Sequence, residues 1–258
     1  MNICATNISY KNLKFENFLD ITTSIGYKNI EVAPFLIYRN PFENKNKYRL
    51  KKIIKRKKII IESFQSIFYN IKNSNDKVKI YENTLERFTK IVDLANDLEV
   101  KKISIGNCPS RKLILEKNQL IDYNLKIFDQ FSKKANKHGI KISIEPVKSE
   151  YLNNFLFSTE EVVFFIKKLK QKNVMLLLDT GNLNENLKNI KNYYQKNYKI
   201  INHIHISNSN IKKLSYIKSK NIINFLKDSQ YNKSLTLEFI SNNGNYLIEQ
   251  KNILRKFI

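Results

Sequence analysis

The chain is poor in cysteine, glycine and histidine, and it carries half as many acids as bases. Its two cysteines, Cys4 and Cys108, lie far apart, which excludes a disulfide framework and any paired-cysteine zinc motif. Only five glycines occur in 258 residues. None forms a Gly-rich turn after a strand-like run, so a phosphate loop or dinucleotide fingerprint is excluded. No run approaches the roughly 18 apolar residues that would read as a membrane span. The N-terminus, "MNICATNISY", enters a strand-like run without a basic-then-apolar leader. The expectation is a cytoplasmic protein with no membrane association.

The charge imbalance, 46 basic against 23 acidic residues for a net +23, invites a nucleic-acid reading. The distribution argues against it. Lysines are spread over every helical pattern, and the densest cluster, "KNKYRLKKIIKRKK" at 45–58, has Leu50, Ile53 and Ile54 at helical spacing. That pattern predicts an amphipathic surface helix with a solvated basic face, and no specific nucleic-acid partner.

What is present is a regular alternation. Apolar runs at 2–5, 29–33, 59–65, 102–106, 141–145, 174–179, 202–206 and 234–239 read as strands, with helical patterns between them. "YENTLERFTKIVDLA" repeats apolar residues every three or four positions through Tyr81, Leu85, Phe88, Val92 and Ala95. Ser158 and Glu161 have capping-box spacing, and His138-Gly139 marks a helix end. Eight strands alternating with about eight helices predict parallel pairing through right-handed crossovers. The fold class expected is α/β, a single (β/α)8 TIM barrel over residues 1–258, because the length suits the closed form and no linker breaks the composition.

In such a barrel, chemistry sits where strands end. "KISIEPV" ends in Glu145, "LLLDTGN" in Asp179, "NHIHIS" near His205 and "LTLEF" in Glu238, and Gln65 occupies the same place on the third strand. A carboxylate at an apolar strand mouth costs several kcal/mol unless something compensates it. Lysines are missing from these strand ends, so mutual repulsion among three acids is best relieved by a cation. Two glutamates, an aspartate and a histidine form a mixed nitrogen and oxygen set. It suits one divalent ion, manganese first, with zinc, cobalt, iron or magnesium acceptable. His203, two residues before His205, shares its face of the strand one layer deeper and suits a role behind the ligands.

In this order and spacing, "IEP", "LLLDTGN", "HIHIS" and "LEF" resemble the xylose isomerase-like barrel superfamily of sugar phosphate isomerases and epimerases. "NISY", "IEVAP", "SFQS" and "ISIGNCPSR" are similar to further strand segments of that family, so the resemblance spans nearly the whole chain. It implies metal ligation by Glu145, Asp179, His205 and Glu238. It also implies a small carbohydrate substrate and proton transfer through an enediolate, with Glu145 and Glu238 as the catalytic acid/base pair. Against sugar 3-epimerases of the superfamily three positions differ. Asn182 stands where they have a histidine, Ile211 where they have an arginine, and Tyr151 where they have a glutamate, with Glu150 adjacent. Asn182, Tyr151, Gln65 and His203 are therefore the candidates for substrate contact or ligand support. Two alternatives follow from the same likeness. One is a catalytically inactive carbohydrate-binding barrel. The other, an apurinic-site endonuclease, is disfavoured because its trinuclear zinc cluster needs many histidines and this chain has three. Self-association into a homo-oligomer is left open.

Overall fold

Eight short strands rich in Ile, Val and Leu line up because each can bury both faces, one toward the barrel axis and one under the helices. In the computed structural model, which describes residues 1–240 apart from 73, 152, 184, 185, 209, 210 and 213, they close into a barrel. The strands are β1 (Asn2–Thr6), β2 (Asn29–Val32), β3 (Ile60–Phe64), β4 (Lys102–Ile105), β5 (Lys141–Ile144), β6 (Val174–Asp179), β7 (Ile201–Ile206) and β8 (Ser234–Leu237). Each pairs in parallel with its sequence neighbours, and β1 with β8 completes the ring. The (β/α)8 architecture read from the alternation is the one observed, and all eight predicted strands are present within one or two residues of their expected limits.

Seven α-helices are described: α1 (Phe15–Ile25), α2 (Asn44–Lys57), α3 (Lys77–Asp97), α4 (Lys117–Asn136), α5 (Thr159–Leu169), α6 (Leu187–Asn197) and α7 (Tyr216–Asp228). The position of an eighth falls within 241–258, outside the described residues. Capping explains where several begin. Asp76 accepts from the Val78 and Lys79 amides at the start of α3, and Ser158 from the Glu161 amide at 3.2 Å at the start of α5. Glu161 completes the cap one residue further out than a standard capping box, accepting the Phe157 amide at 2.6 Å. Gly139, at φ 66°, turns the chain from α4 into β5, as the His138-Gly139 pair predicts. The basic helix α2 is amphipathic as expected: Leu50 is buried, Ile53 and Ile54 pack on the core, and Lys47 and Lys57 pair with Asp97 and Asp20.

The main apolar core lies between sheet and helices, where Phe131 of α4 stacks on Phe88 of α3 and meets Phe128 at a tilt. The barrel axis is different. Ser63 and Ser104 meet at 3.0 Å, Ser104 donates to Glu31 at 2.9 Å, and His203 meets Thr236 at 2.8 Å. At the opposite end Ser234, Asn2 and Lys102 converge on Glu62. A polar axis running toward the strand ends is what positions the site.

Candidate metal centre

Glu145 and Glu238 each stand one residue past a strand, yet the ladder still holds them. The Glu145 amide donates to Ile105 O at 3.0 Å, and the Glu238 amide to Ile206 O at 2.9 Å. Asp179 is the last residue of β6 and lies in register with His205 on β7, which lies in register with Thr236 on β8. Three neighbouring strand pairings therefore bring β5 to β8 side by side and deliver four side chains to one mouth.

The ligating atoms of Glu145, His205 and Glu238 all lie within 4.8 Å of one another. His205 Nδ1 is 3.3 Å from Glu238 Oε2 and 3.9 Å from Glu145 Oε1. Asp179 is outside that tight trio, but its carboxylate is near enough to repel the charge of Glu145. One Asp179 oxygen is held by the Gly181 amide at 2.8 Å and by the Ser207 hydroxyl. The other faces the Asn182 amide at 3.3 Å. Gly181 is required here, because a Cβ would lie 2.4 Å from Ser207 Oγ.

The histidine is divided between two tasks. His205 Nε2 meets Glu31 Oε2 at 2.8 Å, whereas Nδ1 is buried without a hydrogen-bond partner and faces the two glutamates. A neutral imidazole that donates through Nε2 presents its Nδ1 lone pair, the state a metal ligand needs. Among the described residues no lysine or arginine forms an ion pair with Glu145, Asp179 or Glu238. The orphaned nitrogen and the unneutralised carboxylates fit a divalent cation. The second acid and imidazole grouping, Glu31 with His203 and His205, is fully buried, and its further contacts are hydrogen bonds: Glu31 accepts from Ser104, and His203 meets Thr236.

Comparison with known proteins identifies the family. The profile of the xylose isomerase-like TIM barrel matches residues 19–257. The chain belongs to that family. A search of curated proteins finds no match. Among solved structures, a family 2 AP endonuclease from Brucella melitensis superposes with TM-score 0.78 at 13% identity, over 97% of this chain and 98% of that one. The apo 3-keto-D-glucoside 4-epimerase of E. coli gives 0.77 at 14%, over 99% and 98%. A xylose isomerase-like barrel protein from Mycobacterium smegmatis in complex with magnesium gives 0.71 at 17%, over 98% and 95%. At such identities these likenesses speak for the fold.

The residues expected around the ligands fall in three groups. Gln65 lines the mouth and donates to Thr6 Oγ1 at 2.7 Å. Asn182 lines it too, and anchors Pro146 O at 2.6 Å while touching Asp179. Its amide braces the Asp179 carboxylate, which gives the position a use without a histidine. His203 lies behind the mouth, bonded to Thr236 and 3.4 Å from Glu31. Ile211 faces the cavity, whereas the side chain of Tyr151 lies outside the described residues. The cavity holds about 260 Å³ and opens to solvent, a size for a small metabolite. Glu31 was missed. Its signal was visible in "IEVAP", a carboxylate in the middle of an apolar strand, the same anomaly that singles out Glu145.

Electrostatics make the pH behaviour of the metal-free protein a test. Burial, then repulsion from Asp179 and Glu238, holds the Glu145 carboxyl well above its usual range despite His205. Burial and Glu238 likewise raise Asp179. Burial opposes the imidazolium of His205, but Glu31 and Glu238 outweigh it and raise its pKa well above the ordinary value. Burial also opposes ionisation of Glu31, and His203 and His205 outweigh that, keeping it well below the usual range.

A raised carboxyl penalises folding increasingly as pH climbs above its ordinary value, near 4. Raised His205 adds stability that is complete below about 6.5 and lost as pH rises through its folded pKa. Depressed Glu31 adds stability that is lost only as pH falls through its own folded pKa. Metal-free protein should therefore melt highest on the acid side of neutrality, and excess Mn²⁺ should move that optimum upward. Thermal melts from about pH 4 to about pH 9, with and without metal, check this. A metal-free melting temperature that climbs steadily through the alkaline range contradicts it.

Proposed function

We propose that this barrel is a metal-dependent isomerase or epimerase of a small sugar or sugar phosphate, with one catalytic domain spanning the chain. The observation that carries the reading is the convergence of Glu145, His205 and Glu238 at the strand ends, with Asp179 beside them at the same mouth and His205 Nδ1 left open toward the two glutamates. Family membership and the sugar epimerase among the structural relatives support it. The cation, Mn²⁺ by the mixed donor set, supplies Lewis acidity toward a carbonyl and its neighbouring hydroxyl.

The protein's own groups do the rest. Asp179, locked by Gly181, Ser207 and Asn182, serves as a fixed ligand. Glu145 and Glu238 enter the mouth from β5 and β8, which are separated on the ring, and so flank a bound carbon from two sides. One removes the proton beside the carbonyl, and the other returns a proton to the opposite face for epimerisation, or to the neighbouring carbon for isomerisation. Burial raises the Glu145 pKa, which suits a group that must both take and give a proton. Ile8, Ile67 and Phe68 supply apolar walls, and Asn107, Asn182 and Asn208 supply amides suited to hydroxyl groups.

Metal analysis of purified protein, followed by a screen of ketoses and sugar phosphates for solvent deuterium uptake, tests the proposal. Uptake without net conversion still establishes proton abstraction, and no uptake from any substrate by metal-loaded protein refutes it. A groove containing Arg39, Lys72, Lys79, Arg87 and Lys90 lies between the segment after β2 and α3, and none of these residues lines the mouth cavity. Duplex DNA should accordingly bind weakly and be released at moderate salt. Incision of an abasic-site duplex by substoichiometric protein would replace the isomerase reading with a nuclease.

A further inference from the structure

Arg111 is the largest fully buried side chain of the described barrel, and its guanidinium pairs with no carboxylate among the described residues. All its hydrogen bonds go to main-chain carbonyls. Nη1 donates to Gly106 O and, at 3.0 Å, to Glu145 O, while Nε donates to Phe155 O at 3.1 Å and Nη2 to Leu156 O at 2.7 Å. Its own carbonyl accepts the Asn154 amide at 2.8 Å. These carbonyls belong to the end of β4, the lip of β5 and the segment before α5. That segment folds back so that the Val147 amide also reaches Leu156 O, and Leu156 takes a positive φ of 63°.

The two carbonyls on Nη1 concern one metal ligand. Glu145 O belongs to the backbone from which the glutamate side chain departs. Gly106 forms the surface on which its carboxylate rests: a Cβ there would lie 2.6 Å from Glu145 Oε2. We propose that Arg111 is a positioning residue for Glu145, fixing by one guanidinium both the root of that side chain and the floor beneath its carboxylate. Lysine cannot replace it, because a single ammonium lacks the planar fork that spans carbonyls of three segments.

The proposal rests on the metal-centre reading, and manganese binding is its probe. Arg111→Lys should weaken Mn²⁺ affinity about tenfold or more, in the range seen when support behind a ligand is lost. The loss should persist within about twofold when Asp179→Asn is already present, and largely vanish when Glu145→Gln is present. Equal losses in all three backgrounds indicate a general structural role and overturn the proposal, as does no loss at all. Wild-type protein that takes up no manganese overturns the metal reading itself before any variant is made, and the proposal with it.

If Arg111→Lys does not fold, the wild type decides. Titration with diamagnetic Zn²⁺ should shift the slowly exchanging Arg111 Nε–H resonance in step with metal uptake. A resonance unmoved by saturating zinc overturns the proposal.

Discussion

Glu145→Gln and Glu238→Gln should each retain metal while lowering turnover roughly 10²–10⁴-fold, the usual worth of a positioned acid or base. Glutamine keeps an oxygen that can ligate, and it removes the titrating group. Both carboxylates stand at the lip of the cavity and approach His205 Nδ1, at 3.9 Å for Glu145 and 3.3 Å for Glu238. Asp179 holds bonds to Gly181 and Ser207 through one oxygen and to Asn182 through the other, so the edge left on that second oxygen is the one assigned to the metal rather than to proton transfer. Two bases on separate strands predict an asymmetry that a single base does not. With an authentic epimer pair, each variant should block deuterium exchange from one epimer more than from the other. If both variants keep metal and near wild-type exchange, another group is the base, with Lys148 on the cavity wall the first to examine.

The architecture was readable because its causes are local. Apolar strands of four to six residues, capped helices and Gly139 at φ 66° all write their geometry into short stretches of sequence. The clustering of the candidate acids was readable for a different reason: in a parallel barrel every strand ends at the same mouth, so acids at the ends of β5, β6 and β8 are brought to one place. What sequence spacing could not supply was the depth of each side chain. Glu31 sits on β2, three steps around the ring from His205 on β7 by way of β1 and β8, and only closure brings the two into contact. Arg111 gave no signal either. A basic residue after a proline in a chain of 46 cations looks like surface, and its complete burial depends on carbonyls from three separate segments. Asn182 could be read as a departure from the epimerase pattern, but not as a brace for Asp179 and Pro146 until the turn after β6 was seen.

Removal of the Glu31 carboxylate should then weaken Mn²⁺ binding about 10–100-fold although it removes none of the proposed ligands. Glu31 is fully buried and accepts from Ser104 at 2.9 Å through one oxygen. The other oxygen meets His205 Nε2 at 2.8 Å and lies 3.4 Å from His203. It fixes which nitrogen of His205 carries the proton, and its charge raises the basicity of the nitrogen that faces the metal position. Glu31→Gln tests the charge with the shape preserved. Its amide can still bond His205 but cannot stabilise positive charge on the ring, so affinity should fall while the fold survives. Glu31→Leu removes both functions and leaves Ser104 and His205 without their partner, so it should cost stability as well. Titration calorimetry with Mn²⁺ beside thermal melts separates the two effects. If Glu31→Gln binds manganese as tightly as wild type, the carboxylate serves only to satisfy buried donors, and the tautomer of His205 is set by its contact with Glu238.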